Sequence, residues 1–258
     1  NLWNVLRQIS VNVCISVGMT LVVLMAGIDL SVGSVLGFTA AVCAGLLKNG
    51  IPFESMDLFV GFSVLGAILV SILIGMALGL FNGWVITKFS IPPFVATLAM
   101  LTIARGFTML YTEGIPISNL GSEFEFIGSG WILGIPVPVW ISLTMVLIVI
   151  FLTKKTTFGR YIYAIGGNEK AAFLSGININ KIKLAVYGIA GMMAAVGGVL
   201  VTSRLNSAQP NAGMSYELDS IAAVVIGGTS LSGGIGTVAG TVIGAVIIGV
   251  LNNGLVLL

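Results

Sequence analysis

Few residues in this chain could carry out chemistry, and the most distinctive of them lie inside or beside long apolar runs. Asp29 and Arg105 are charged, and Ser31, Ser230 and Ser232 stand at glycine-rich interruptions. Charged and hydroxyl groups inside a membrane are the residue types that bind ions or meet a polar solute. The chain contains no histidine, which excludes a Ser-His site and removes the commonest metal ligand. We therefore expect no catalysis, no cofactor and no metal.

The composition is that of an integral membrane protein. Of 258 residues, 57% are hydrophobic and 8% are charged, whereas a soluble domain carries about 25% charged residues. The net charge is +2 and the basic residues are concentrated in one loop, so no nucleic-acid partner is expected. Cys14 and Cys43 lie in apolar runs and behave as small hydrophobes. The chain begins at Asn1 and stops within the apolar run that ends at Leu258, so we interpret it as a fragment lacking material at both ends.

The apolar runs predict an all-α, polytopic membrane protein with about seven or eight membrane segments, some of them broken. A spanning helix needs roughly 20 apolar residues, and unpaired backbone cannot face lipid. A polar loop is expected at 48–57. The predicted segments are 9–27, a shorter one at 32–47, a long one at 59–87, then 92–110, 138–153, 184–203, and a last stretch that is broken at 227–236 and resumes at Thr237.

The distribution of charge predicts the orientation of these segments. Residues 154–183 hold six of the eleven basic residues and one acid, Glu169. A short basic loop stays in the cytoplasm because the membrane potential and the insertion machinery oppose its transfer. Residues 111–138 contain three glutamates, no lysine or arginine, and a tryptophan near their return to the membrane, so they are expected outside.

The stretch GGNEKAAFLSGI within the basic loop is the most motif-like part of the chain. It resembles the EAA-type coupling loop of bacterial ABC importer permeases. The Glu-Ala-Ala of that loop is met here as Lys170, Ala171 and Ala172, followed by Gly176, with Glu169 one place earlier. The resemblance implies a docking site for a cytoplasmic ABC ATPase. Its residues would be Gly167, Asn168, Glu169, Lys170, Ala171, Ala172 and Gly176.

Four dispersed stretches, in order, resemble the ribose permease branch of the monosaccharide importers: GMTLVVLMAGIDLSVGS, FVATLAMLTIARGFTMLYT, FGRYIYAIGGNE and SAQPNAGMSYELDSIAAVVIGGTSLSGG. The resemblance implies that residues 1–258 form a single transmembrane permease domain in a bacterial inner membrane. It also implies a second permease chain, ABC ATPases, a periplasmic sugar-binding protein, and ribose as the first substrate to consider. The tetrapeptide LSGG resembles an ABC ATPase signature, but no G-x-x-x-x-G-K-[ST] loop occurs, so a partner must hydrolyse ATP.

The pattern G-x-x-L-S-x-G occurs at Gly27 and again at Gly228. Paired glycine-broken segments are typical of a repeat whose broken helices line a pathway. Chance, or helix-capping chemistry shared by the two stretches, explains the repeated pattern equally well. If the repeat is real, the two breaks face one another near the middle of the protein. The candidate translocation pathway then contains Asp29, Ser31, Ser230 and Ser232.

Several alternatives stay open at this stage. Asp29 could cap the helix that begins near Val32, or its carboxylate could meet sugar hydroxyls. Glu169 could pair with a basic group on an ATPase or lie on a solvated face. Gly75 and Gly79 are expected to serve plain helix packing. The competing function is an ion-coupled secondary transporter or channel that uses Asp29 and Arg105, and an intramembrane enzyme is a third, weaker possibility.

Overall fold

The computed structural model describes residues 2–53 and 58–256, and most of this backbone is helical. Residues 54–57 of the predicted polar loop lie outside the described residues. The helices are α1 Leu2–Leu24, α2 Val32–Asn49, α3 Val64–Phe89, α4 Pro93–Thr112, α5 Ser122–Ser129, α6 Val137–Lys155, α7 Thr157–Gly167, α8 Glu169–Leu174, α9 Ile179–Leu205, α10 Tyr216–Ile226 and α11 Val238–Val256.

Within residues 2–53 and 58–256, six short strands form three antiparallel pairs that join loops of the helical bundle. In the second pair Ile117 lies opposite Ala208, so the loop after α4 is tied to the loop after α9. The pairs are β1 Ile51–Phe53 with β2 Leu58–Val60, β3 Ile117–Ser118 with β6 Ser207–Ala208, and β4 Trp131–Ile132 with β5 Ile135–Pro136.

Seven of the described helices are long and apolar enough to cross a membrane: α1, α2, α3, α4, α6, α9 and α11. The helix α10 has only 11 residues, about 16 Å, and is reached through the non-helical residues 209–215. Together with residues 209–215 it forms one further segment of the bundle. The prediction of an all-α protein with seven or eight segments is therefore confirmed. The predicted segment 32–47 was drawn slightly short, since α2 continues to Asn49.

The helices α1 and α9 form the centre of the bundle. Every residue of α1 from Ile9 to Leu24 is buried, and apolar residues occur on all sides of this stretch. In contrast, α3, α4, α6 and α11 expose many large apolar side chains. A helix that is apolar all round is stable either in a protein core or against lipid. The bundle uses both solutions, with polar loops gathered at its two ends.

Glycines bring α3 and α9 into backbone contact. A Cβ atom added at Gly79 would lie 2.1 Å from the carbonyl oxygen of Tyr187, and one added at Gly191 would lie 2.1 Å from that of Gly75. No side chain larger than hydrogen fits at such a crossing, and van der Waals contact between backbones is what holds helices together in lipid. The predicted packing role of Gly75 and Gly79 is confirmed.

The two glycine-rich breaks, 25–31 and 227–237, touch each other. The Gly234 N–H donates to the carbonyl oxygen of Leu24 at 2.9 Å, and Gly233 lies against Ala26. Gly166 of α7 fits between Leu24 and Gly234. The two breaks face one another, as expected, but they meet beside α7, at the side that carries residues 154–183. We call this side the basic end, and the side that carries α5 the opposite end.

Candidate coupling segment and intramembrane polar groups

The helix α7 fastens the basic segment to the bundle. Its buried face contains Ile162 and Ile165, and its Tyr163 hydroxyl donates to the carbonyl oxygen of Gly236 at 2.9 Å. Burial raises the pKa of Tyr163, so the hydroxyl stays protonated and remains a donor. Gly167, one of the predicted site residues, contacts Gly234. The start of the predicted coupling loop is thus fixed to the break between α10 and α11.

The helix α8 is short and has a defined start and end. The Asn168 side chain accepts from the Ala171 N–H at 3.0 Å, which is an N-cap. At the other end Gly176 has a φ of +83°, its N–H donates to Phe173, and the Ile177 N–H donates to Ala172. These two hydrogen bonds form a Schellman motif. Glycine suits its left-handed position because it has no Cβ atom to clash with the backbone. Asn168 and Gly176 therefore set the boundaries of α8.

The exposed face of α8 is partly apolar. Phe173 is 68% exposed and Leu174 is 85% exposed, while Ala172 is buried. Lys170 and Ala171 are also exposed. Both large residues border an open groove of about 1110 Å³. The sequence reasoning missed them, although two adjacent large apolar residues in a basic loop are a usable signal of a contact surface.

Glu169 is paired within the chain. Its Oε1 lies 2.7 Å from the Nζ of Lys183 at the start of α9. The Glu169 side chain is 52% exposed and that of Lys183 is 20% exposed, so the pair is partly covered. Of the two alternatives for Glu169, neither named this internal partner. The pair links the first turn of α8 to the first two turns of α9.

Asp29 is 1% exposed and is part of a buried hydrogen-bond chain. Its Oδ1 accepts from the Ser31 N–H at 2.8 Å and from the Ser31 hydroxyl at 2.6 Å. Asn82 on α3 donates in turn to the Ser31 hydroxyl at 2.9 Å. Ser31 occupies the N-cap position of α2 and makes no side-chain cap, and among the described residues Asp29 accepts from Ser31 itself and from no N–H inside α2. Asp29 therefore holds the residue at which α2 begins, and the choice between a capping role and a role in the transport pathway stays a prediction.

Ser230 and Ser232 lie in the turn between α10 and α11. The Ser232 N–H donates to the Ser230 hydroxyl at 3.2 Å, and the Ser230 N–H donates to the carbonyl oxygen of Ile235. Among the residues that the structure describes, no hydrogen bond joins them to Asp29 or Ser31. The four predicted pathway residues form two local pairs, one in each break.

Arg105 has a structural partner. Its Nη1 donates to the carbonyl oxygens of Pro210 at 3.1 Å and Ala212 at 2.8 Å. Both carbonyls belong to the non-helical segment that leads into α10. Backbone that is not helical needs such partners at membrane depth, since lipid offers none. An intramembrane arginine is therefore explained without an ion-binding role.

A further polar pair lies on α10 and α11 and was missed by the sequence reasoning. Asn252 donates through Nδ2 to the Asp219 Oδ2 at 3.1 Å, and both residues are only partly buried. The sequence signal that could have indicated this pair is Asp219, an acidic residue at the start of the apolar stretch that forms α10. Over residues 2–53 and 58–256, no cluster of three His, Cys, Asp or Glu side chains could hold a metal ion.

Residues 1–258 match, over their whole length, the family of permease components of branched-chain amino acid transport systems. The chain belongs to this permease family. A ribose import permease protein of Haemophilus influenzae is 52% identical over 262 residues, covering all of this chain and 78% of that protein. One of Bacillus subtilis is 51% identical, with 100% and 77% covered. A D-allose transport system permease protein of Escherichia coli is 40% identical, with 99% and 75% covered.

No solved structure matches the permease. The resemblance to the ribose permease branch, which the four dispersed stretches indicated, is confirmed by these relatives. Together with seven apolar helices, the family assignment makes the permease a multi-pass protein of the bacterial inner membrane. The matched relatives are transport permeases and not enzymes.

Proposed function

We propose that this permease is the membrane-spanning subunit of an ATP-driven importer of ribose or a related monosaccharide, with no catalytic site of its own. The observation that carries the proposal is the 52% and 51% identity to two ribose import permeases along the whole chain. The identity falls to 40% for the allose permease and to 33% for a xylose permease of Haemophilus influenzae. This order favours ribose as the substrate.

The basic segment, residues 154–183, is proposed to lie in the cytoplasm and to receive an ABC ATPase at α8. Phe173 and Leu174 would enter a cleft of the ATPase, because large exposed apolar side chains gain most from being covered. Lys170 beside them supplies charge, and Ala171 permits close approach. Asn168 and Gly176 keep α8 in shape, and Gly167 fixes its start to the bundle.

The opposite end is proposed to receive the periplasmic sugar-binding protein. Residues 111–138 contain three glutamates and no basic residue, and Glu113 and Glu123 are exposed. Glu125 is tied to the bundle, since its Oε2 accepts from Asn206. An acidic surface attracts a partner with a basic one and speeds the encounter.

A second copy of the permease is proposed to cover the face of α10 and α11 that carries Asp219 and Asn252. A partly exposed carboxylate at membrane depth is costly against lipid and therefore faces protein or water. Leu218 and Leu251 on the same helices are exposed and would pack in the shared interface. Two copies related by a twofold axis bury the same face of each.

Transport of labelled ribose by cells that contain this gene as their only ribose permease tests the substrate and the energy source. Uptake should be competed by excess ribose, should stop when ATP is depleted, and should persist when a protonophore collapses the ion gradient but ATP is maintained. Uptake that follows the ion gradient and ignores ATP would instead establish the ion-coupled alternative, in which Asp29 and Arg105 are the functional charges.

Co-purification of the ATPase tests the docking surface. Leu174→Asp should strongly reduce the amount of ATPase that co-purifies with the permease, because it places a charge at the centre of the apolar contact. Leu133→Asp is the matched control, since Leu133 is 88% exposed at the opposite end. Equal co-purification of ATPase with both variants would contradict the assignment of α8.

A further inference from the structure

A small cavity of about 140 Å³ lies beneath α8, between the α1–α2 break and the start of α9. Gly27 of the break, Pro93 at the start of α4 and Tyr187 of α9 form parts of its wall. Glu169 and Lys183 line it as well, and their ion pair joins α8 to α9 there. The pair therefore stands at the point where α8, α9 and the break come together.

The Tyr187 hydroxyl makes this cavity polar. The residue is 1% exposed, and its hydroxyl has no hydrogen-bond partner among the described residues. It lies close to Gly27, where an added Cβ atom would be 2.8 Å from the hydroxyl oxygen. A water molecule takes about 30 Å³ in the liquid, so the cavity has room for several. A polar, hydratable space between α9 and the break lets the two move relative to each other at lower cost than a packed core would.

Of the two helices that the ion pair joins, α9 is held firmly in the bundle and α8 is not. Lys183 and Tyr187 are one turn apart on α9, and α9 is held against α3 by backbone contacts, with an added Cβ at Gly83 lying 2.8 Å from Leu184. On the other side α8 is a helix of six residues whose outer face is exposed. The Glu169–Lys183 pair is the one ion pair recorded within residues 2–53 and 58–256.

We propose that Glu169 and Lys183 are a positioning pair that holds α8 to α9, so that a displacement of α8 moves α9 relative to the α1–α2 break. The inference rests on the proposed function, because it takes α8 to be the part that a partner ATPase displaces. It differs from the sequence hypothesis, in which Glu169 contacts the ATPase directly. Without the pair, movement of α8 is absorbed in residues 175–178 and reaches the bundle incompletely.

Two single variants and one exchange test the pair. Glu169→Gln and Lys183→Met each remove one charge, and the double variant Glu169→Lys with Lys183→Glu restores an ion pair with reversed polarity. Lys181→Gln is the matched control, since Lys181 is an exposed lysine in the same turn of α9 that forms no recorded pair. The complex of permease, ATPase and sugar-binding protein is reconstituted in liposomes, and sugar transported per ATP hydrolysed is measured.

Each single variant should lower this ratio about fivefold. This factor corresponds to about 1 kcal/mol, which is the upper end of what a partly exposed ion pair contributes. ATPase binding should be retained, the control should keep the wild-type ratio, and the exchange should return most of it. An unchanged ratio in the single variants overturns the proposal. Failure of the exchange variant to recover also overturns it, because Glu169 then acts on the ATPase and not through Lys183.

A second measurement does not depend on the ATPase. A spin label on Leu174→Cys, in a background with Cys14→Ala and Cys43→Ala, reports the mobility of α8 in the permease alone. Mobility should rise in Glu169→Gln and Lys183→Met, stay low in Lys181→Gln, and fall again in the exchange. Unchanged mobility in the single variants refutes the positioning role, whether or not the wild-type complex transports ribose. Absence of ATP-driven uptake by the wild type, with the mobility changes present, would contradict only the proposed function.

Discussion

Arg105 on α4 holds Ala212 in place, with its Nη1 donating to the Ala212 carbonyl oxygen at 2.8 Å. The same nitrogen donates to Pro210 at 3.1 Å. Between them these bonds satisfy two carbonyls in a stretch that has no helical partners. The segment formed by residues 209–215 and α10 therefore depends on a side chain from a helix far away in sequence.

Replacing Arg105 should separate a structural role from an ionic one. Arg105→Leu leaves the two carbonyls without a donor, at about 1–3 kcal/mol for each buried group, and should lower the unfolding temperature and the amount of protein in the membrane. Arg105→Lys retains a donor and should preserve much of both. Unfolding temperature in detergent and uptake are measured in parallel. Loss of uptake in the lysine variant at normal stability would contradict the structural role.

The crossing of α3 and α9 predicts a strict requirement for glycine. Gly79→Ala would place a methyl group 2.1 Å from the Tyr187 carbonyl oxygen, and backbone cannot yield as a flexible side chain does. We expect a loss of stability of about 3 kcal/mol, or failure to accumulate. Gly106→Ala on α4 is the control, because an added Cβ there meets nothing within 4 Å. It should be neutral or stabilising by up to ~1 kcal/mol. Similar unfolding temperatures for the two variants would show that the crossing is looser than described.

Asp29 is expected to act through its hydrogen bonds and not through its charge. Asp29→Asn keeps an oxygen that can accept from Ser31, so much of the uptake should remain. Asp29→Ala leaves a buried N–H unpaired at about 1–3 kcal/mol and should lose protein level or activity. Uptake and membrane content are compared for both. If Asn abolishes uptake at normal protein level, the carboxylate belongs to the transport pathway.

The orientation of the bundle predicts which loops an impermeant thiol reagent can reach. Ser122→Cys at the start of α5 should be labelled in intact cells, and Ser175→Cys after α8 should be labelled only after the membrane is opened. Both side chains are exposed, so access depends on the side of the membrane. The background carries Cys14→Ala and Cys43→Ala, which removes both native thiols. The reverse labelling pattern would overturn the topology.

Gly176 combines a special backbone conformation with open space. Its φ is +83°, and an added Cβ meets nothing within 4 Å. Gly176→Leu should insert normally but abolish uptake, because its side chain would hold the ATPase away from α8. Gly176→Asn tolerates the left-handed conformation and should keep most of the uptake, and Gly176→Ala should lose about 1 kcal/mol of local stability. Equal losses of uptake for Ala and Leu would assign the effect to the backbone and not to a partner.

The membrane segments were predictable because lipid-facing and core helices are both apolar along their whole length. The partners across the fold were not. Glu169 and Lys183 meet only because the turn at Gly176 folds α9 back beside α8, and no short-range pattern in the sequence encodes that reversal. The sequence predicted that the two breaks face one another but not that they lie beside α7, since hydropathy does not show where along the bundle a helix ends. Asp219 and Asn252 were missed because they come together only through the packing of α10 on α11.

The hydrogen bond between the Gly234 N–H and the Leu24 carbonyl oxygen also bears on how the chain is made. Leu24 leaves the ribosome with α1, and Gly234 leaves it more than 200 residues later, between α10 and α11. Until α10 and α11 enter the membrane, the end of α1 lacks this donor and Gly166 lacks one of its two neighbours. The permease can therefore be inserted helix by helix, but the contact between its two breaks at the basic end forms only after α10 has been made.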